Sequence, residues 1–414
     1  MTLIKTSFFT AISTIVLAVA GFVINKVIAI YVGPAGLAII GQFQNFNSIV
    51  LTFANGAITS GVIKYTAEYR EDVELKSKLF SSAIIISLVC SVTVGLFLNI
   101  FSYNLTNYIL KSDDYASVFV IFGFTIILFA LNTLLMSILN GQKEIKKYII
   151  VNITSSLFSL VFASLLIINL GLIGALYALV TNQSVIFFVT LMFVLKANWF
   201  KFEYFKKGAD KESIIKLGKY SLMTLTSVLT VPVSHLIVRN YIVDHLSWDA
   251  AGYWQGIWYI STMYLTVITT SLGIYYLPRL SEIKDNEELK KEIISGYKII
   301  MPIVSVLALG IYMFRGLVIE IAFTDKFRFM MELFKWQLIG DVIKIASWLL
   351  GYLTVAKAMT KTFIALEILG SLSFVLLSVW LINVYGLIGV TYAFAINYTI
   401  YLFVIVYVFR RLLR

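Results

Sequence analysis

The chain has 414 residues, 60% of them hydrophobic and only 13% charged, and its mean hydropathy is +0.90. A water-soluble domain is nearer half apolar and a quarter charged, so the excess apolar surface faces lipid and a soluble multidomain protein is excluded. The formal net charge of +11 raises nucleic acid as a partner, but in a membrane protein the first question is which side of the bilayer holds that charge.

A spanning helix needs about 20 largely apolar residues, and the sequence holds twelve such stretches. In chain order they cover roughly 7–31, 36–62, 79–102, 115–140, 148–169, 171–195, 218–241, 250–276, 294–314, 329–355, 362–383 and 386–409. The first could be taken for a cleaved leader, since Ala18-Val19-Ala20 imitates a cleavage site. Its apolar run continues to Tyr31, and it has a counterpart later in the chain, so it is read as a span. Connections are short. The single cysteine, Cys90, excludes an internal disulfide.

Twelve spans put both termini on one side. That side carries twenty-five Lys and Arg residues against six on the other, with Lys26 and Lys344 inside spans. The bias predicts cytoplasmic termini, and it accounts for the net charge without nucleic acid.

The sequence also repeats itself at a spacing of 214–215 residues. Gly171-Leu-Ile-Gly174-Ala-Leu-Tyr177-Ala-Leu-Val-Thr-Asn182 matches Gly386-Leu-Ile-Gly389-Val-Thr-Tyr392-Ala-Phe-Ala-Ile-Asn397. Lys5, Ser7, Thr10 and Ser13 fall on Lys219, Ser221, Thr224 and Ser227, and Lys143 and Lys147 fall on Lys357 and Lys361. A constant offset through charged loops is not the chance likeness of two apolar helices. The expected architecture is an all-α polytopic membrane protein of two pseudo-symmetric six-helix lobes, 1–196 and 218–414. Six is even, so both lobes run in the same direction, as in transporters built from parallel repeats. The joining segment 197–217 interleaves Trp199, Phe200, Phe202, Tyr204 and Phe205 with lysines. It reads as a cytoplasmic interfacial linker.

Several stretches carry a family likeness. Gly33-Pro-Ala-Gly36, Trp248-Asp-Ala-Ala-Gly252-Tyr-Trp254-Gln255-Gly256, Tyr276-Leu-Pro-Arg279-Leu-Ser281 and Phe334-Lys-Trp336-Gln337-Leu-Ile-Gly340-Asp341-Val-Ile-Lys344 resemble the Wzx-type lipid-linked oligosaccharide flippases. Those belong to the multidrug/oligosaccharidyl-lipid/polysaccharide exporter superfamily, and the set is most similar to their enterobacterial common antigen (lipid III) branch. The resemblance covers essentially the whole chain. It implies a MATE-like fold in the bacterial inner membrane. It also implies a flippase for an undecaprenyl-diphosphate-linked oligosaccharide, either an O-antigen unit or lipid III. Beyond membrane lipid, it implies a polysaccharide polymerase and a chain-length regulator as partners.

Charge inside a span is costly and marks pathways. Lys26 and Arg239 lie at matching depths of the first and seventh spans and are expected to face one another across an interlobe cleft. The alternative is snorkelling to the headgroups. Asp341 and Lys344 are three residues apart and share a helix face. Their counterparts at an offset of 214 are Ile127 and Ala130, so the fold does not require charge there. A self-neutralising packed pair is the alternative. Glu367 has the counterpart Ile153 and is a weaker candidate. Gln42 and Asn45 of the second span and Trp254 and Gln255 of the eighth suit sugars, by amide hydrogen bonding and by stacking. Interhelical polar packing is their other reading.

Enzyme chemistry finds little support. The sequence has no Gly-x4-Gly-Lys-Ser/Thr, two histidines and one cysteine make no metal cluster, and the outer loops are too short for a catalytic domain. No cofactor is expected. Coupling to H+, to Na+ or to the membrane potential stays open. A MATE-like drug/cation antiporter is the competing function. It calls for a mid-span carboxylate in the first lobe, and spans one to six carry none.

Overall fold

The computed structural model describes residues 3–197 and 199–413. Among them every regular element is helical. In chain order the main ones are α1 Leu3–Tyr31, α2 Gly33–Ala54, α3 Thr59–Glu68, α4 Val73–Ile100, α5 Ser102–Leu110, α6 Ala116–Gly141, α7 Ile145–Leu195, α8 Lys211–His245, α9 Trp248–Ser271, α10 Leu277–Glu282, α11 Asn286–Met313, α12 Arg315–Ala322, α13 Phe334–Ala356, α14 Thr360–Tyr385 and α15 Ile388–Val408.

Eight described helices are long and apolar enough to cross a bilayer, and two bent pairs bring the number to ten. Two details reconcile this with twelve spans. α7 is 51 residues long, but Gly171 (φ 60, ψ −133) breaks it into two helices. α9 is 24 residues long but diluted with Trp, Gln, Ser and Thr, so it stands outside the apolar set. The protein is a multi-pass membrane protein.

The Gly-Leu-Ile-Gly motif has a physical meaning that the repeat makes visible twice. Gly171 and Gly386 hold φ of 60 and 64 where one helix turns into the next. A Cβ on Gly174 would collide with the Leu166 carbonyl, and one on Gly389 with the Leu381 carbonyl. The first glycine of each motif makes the turn and the second lets the new helix lie against the old one. The turn before each hairpin also recurs, with positive φ at Lys143 (58) and Ala358 (51).

These anchors are 215 apart, which corrects the register of the second half of the repeat by one residue. Lys143 corresponds to Ala358 rather than Lys357. Asp341 and Lys344 correspond to Ile126 and Phe129, and Glu367 to Asn152 rather than Ile153. A lysine can move one position in a turn and keep its role, whereas the positive-φ residue is fixed by the turn itself. The side chains of Lys5, Ser7, Thr10 and Ser227, used in the sequence match, lie outside the described residues.

The chain packs as two compact units: Met1–Val32 with Gln42–Pro232, and Gly33–Gly41 with Val233–Arg414. Packing therefore groups residues across the repeat limits, since α2 and α8 each contribute to both units. In the first unit α6 packs against α3, α4 and α7, and α1 against α7. Its linker is docked on the start of α4. The Phe80 ring stacks on Phe205 at 5.5 Å and meets Trp199 edge-on. Ser81 Oγ accepts from Lys207 N (2.9 Å) and donates to the Tyr204 carbonyl (3.1 Å), and Ser82 Oγ accepts from Asp210 N (2.9 Å). Tyr204 is buried, while Phe202 is 63% exposed. Most of the linker aromatics thus pack against the core, and Phe202 is exposed.

In the second unit a core of Leu272, Tyr276, Leu280, Leu289, Leu349 and Leu353 joins the end of α9 to α10, α11 and α13. A π turn, Leu272–Tyr276, follows α9.

Candidate functional site

The second unit gathers five of the eight residues singled out from the sequence: Arg239, Trp254, Gln255, Asp341 and Lys344. Its scaffold is the meeting of two helix starts. Ser247 caps α9 by accepting from Ala250 N at 3.0 Å. Asp249 Oδ1 accepts from Ala35 N of α2 at 3.1 Å. A Cβ on Gly252 would strike the Pro34 carbonyl, so this glycine lets α9 lie directly on the start of α2. The Gly33-Pro-Ala-Gly36 and Trp248-Asp-Ala-Ala-Gly252 stretches are thus two sides of one contact.

That contact sets the depth of Gln255. A Cβ on Gly41 would sit 2.5 Å from Gln255 Cδ, so the amide rests against α2. There it accepts a hydrogen bond from Arg239 Nη2 of α8. The Arg239 guanidinium also lies 5.3 Å from the Trp254 ring. Arg239 is only 1% exposed. Burying a guanidinium needs such partners, because desolvation of an unpaired charge costs several kcal/mol.

An aromatic wall continues from Trp254. His235 lies 5.3 Å from Trp254 and 4.3 Å, edge-on, from Trp258. It is buried. Beyond it Lys344 Nζ lies over three rings, at 4.7 Å from Trp348, 5.2 Å from Trp258 and 5.6 Å from Tyr398. Cation–π attraction strengthens when the cation is desolvated, and these rings hold the ammonium in place of water.

Asp341 is fully buried. Its carboxylate accepts from Ser261 Oγ (2.6 Å), Tyr264 OH (3.0 Å) and Gln337 Nε2 (3.4 Å). Asp341 and Lys344 are therefore not a closed pair. Neutral donors satisfy the carboxylate, and aromatic faces carry the ammonium. Asp341 and Glu367 are the acidic groups that act on Lys344.

Lys26, Gln42 and Asn45 belong to the first unit. Gln42 is buried, while Lys26 and Asn45 are half-buried. The sequence reading missed Ser261, Tyr264, Trp348 and Tyr398. The first two were within reach. They continue the face of α9 that carries Trp254 and Trp258, at helical spacing.

Chemically the cluster offers one buried and one half-buried cation, Arg239 and Lys344, an aromatic wall and a buried carboxylate already supplied with donors. Guanidinium and ammonium groups at low dielectric attract phosphate strongly, the former with bidentate geometry. Indole faces suit sugar rings or prenyl chains.

Comparison with known proteins gives the family and the fold. The family described as "Polysaccharide biosynthesis protein" matches residues 3–284. The chain is 28% identical over 402 residues to the Lipid III flippase of Escherichia coli (strain K12), covering 97% of this chain and 96% of that one. In structure it is similar to an inward-facing multidrug resistance MATE family transporter of the MOP superfamily, with a TM-score of 0.78, 14% identity and coverage of 96% and 94%. It is also similar to the lipid II flippase MurJ in an inward closed conformation, with a TM-score of 0.74, 16% identity and coverage of 98% and 87%. The MATE-like fold that the family resemblance implies is the fold observed.

Proposed function

Because the chain belongs to the polysaccharide biosynthesis protein family, we propose that it is a flippase. It moves an undecaprenyl-diphosphate-linked oligosaccharide, of the lipid III or O-antigen type, from the cytoplasmic to the periplasmic leaflet of a bacterial inner membrane. The observation that carries the reading is the likeness to a lipid III flippase across nearly the full length of both chains.

The headgroup enters by alternating access while the prenyl tail stays in lipid. Lys26, Arg239 and Lys344 hold the diphosphate. Gln42, Asn45, Trp254 and Gln255 meet the sugars. Asp341 tunes the Lys344 end of the site. Both termini lie in the cytoplasm, as the Lys/Arg bias supports. No cofactor is used. A membrane potential negative inside drives outward movement of the anionic headgroup by about 2.3 kcal/mol per charge per 100 mV, with or without an inward H+ or Na+. A polysaccharide polymerase and a chain-length regulator receive the product. The fold likeness to a drug transporter keeps a drug/cation antiporter as the second reading.

Complementation tests the proposal. The chain is expressed in a strain lacking its lipid-linked oligosaccharide flippase, and surface glycan is assayed. The wild type restores glycan, while Lys26→Ala and Arg239→Ala lose it at unchanged membrane levels. Normal export by both variants would overturn the anion assignment. Drug resistance without glycan export would favour the antiporter.

A further inference from the structure

The first unit contains two adjoining cavities of about 500 and 260 Å³ that share Tyr148, Asn152, Ser155 and Gln183. Asn140 completes the larger and Asn132 the smaller. Their described lining holds amides, hydroxyls and apolar groups and no charged side chain. The larger volume falls in the range of small-molecule sites, about 300–1,000 Å³, and both are far larger than a single ion needs. One lining group is left wanting. Asn132 is 4% exposed and donates to Gln183 Oε1 at 2.8 Å, but its own Oδ1 is buried with no hydrogen-bond partner. An unmet buried acceptor is costly.

The corrected repeat register says what kind of ligand this is. At an offset of 215, Phe129, Thr133, Asn152 and Gln183 of this lining correspond to Lys344, Trp348, Glu367 and Tyr398. Lys344 with Trp348, Glu367 and Tyr398 around it makes a charged, aromatic corner of the second unit. The same corner of the repeat is thus built twice, once around charge and once without any. An anion belongs in the charged copy. The uncharged copy, rich in groups that both donate and accept, suits a neutral polyhydroxylated ring. Its lining includes the end of α6 at Asn140 and the start of α7 at Ile145 and Tyr148, and the turn between them carries Lys143 in a lysine-rich stretch. This is the end that the charge bias assigns to the cytoplasm.

We infer that this chamber of the first unit is a subsite for a neutral sugar of the lipid-linked glycan, separate from the residues that hold the diphosphate. The inference rests on the flippase reading above, and it adds a residue set that determines glycan recognition.

Binding to the purified full chain separates the two. Two probes are used: undecaprenyl diphosphate, and undecaprenyl diphosphate bearing one N-acetylglucosamine. The wild type is expected to bind the glycosylated probe roughly tenfold more tightly, the worth of one or two net hydrogen bonds. Gln183→Leu removes lining amide groups, and Ser155→Phe fills the chamber. Each should reduce that preference severalfold and leave the Kd for undecaprenyl diphosphate unchanged, which also reports that the variant is folded. A wild type that binds both probes equally, or variants that keep the preference, would overturn the chamber and leave the flippase reading intact. A wild type that binds neither probe would bring down the flippase reading and the chamber with it.

Discussion

Asp341 shows how a charge is tolerated in the interior of a membrane protein. Three neutral donors converge on it, so its removal strands them. Asp341→Ala is expected to cost about 1–3 kcal/mol, the penalty of leaving buried polar groups unmet. Asp341→Asn keeps an acceptor for Ser261 and Tyr264 and should cost less. Thermal unfolding in detergent measures both, and equal midpoints for the two variants would contradict the network. The glycines of α9 provide a second contrast. A methyl on Gly252 meets the Pro34 backbone, whereas one on Gly256 meets the Met330 sulfur at 2.8 Å. A methionine side chain can move aside, but a backbone fixed by the Asp249–Ala35 bond cannot. Gly252→Ala should therefore lower the amount of folded protein much more than Gly256→Ala, as read by fluorescence size-exclusion chromatography.

The turns of the helical hairpins are set by backbone conformation rather than by contacts. Nothing lies within 4 Å of a Cβ built on Gly171 or Gly386, so any cost of Gly171→Ala or Gly386→Ala comes from the positive φ. That strain is about 1–3 kcal/mol, and the two substitutions should destabilise by similar amounts in an unfolding titration. The start of α8 responds to acid. Hydrogen bonds from the Ser213 N–H, at 2.8 Å, and from its side chain hold the Asp210 carboxyl below the usual carboxylate range. A lowered folded pKa stabilises above the unfolded value of about 3.9 and loses that contribution as pH falls through the folded value. Limited proteolysis of the linker should therefore quicken on moving from pH 7 to about pH 3. Asp210→Asn keeps a cap that does not titrate, and its linker should show no such acceleration.

Across the whole molecule, composition and periodicity were enough to read a membrane protein of twelve spans in two repeats, because lipid imposes length and polarity on every helix. Arg239, Trp254, Gln255, Asp341 and Lys344 were also readable, since a polar or charged residue in an apolar span advertises itself. Ser261, Tyr264, Trp348 and Tyr398 did not stand out, because hydroxyls and aromatics are common in spans and only packing shows which of them face a charge. The polar chamber was hidden for the same reason. Asn132, Asn152 and Gln183 sit far apart in sequence, and their kinship with the Lys344 surroundings emerged only when two positive-φ turns fixed the offset.

The docked linker has a consequence for how the gene can be divided. The segment between the repeats is not a tether, for Trp199, Tyr204 and Phe205 fill the first unit and Ser81 and Ser82 hold its backbone. Gly208, with φ of 80 and open space around it, is the natural seam. Two co-expressed fragments separated after Gly208 keep the aromatic plug with the half it completes. Fragments separated after Leu195 hand that plug to the wrong ribosome, and their first half should be degraded soon after insertion. Pulse-chase labelling of the two fragment pairs reads the difference.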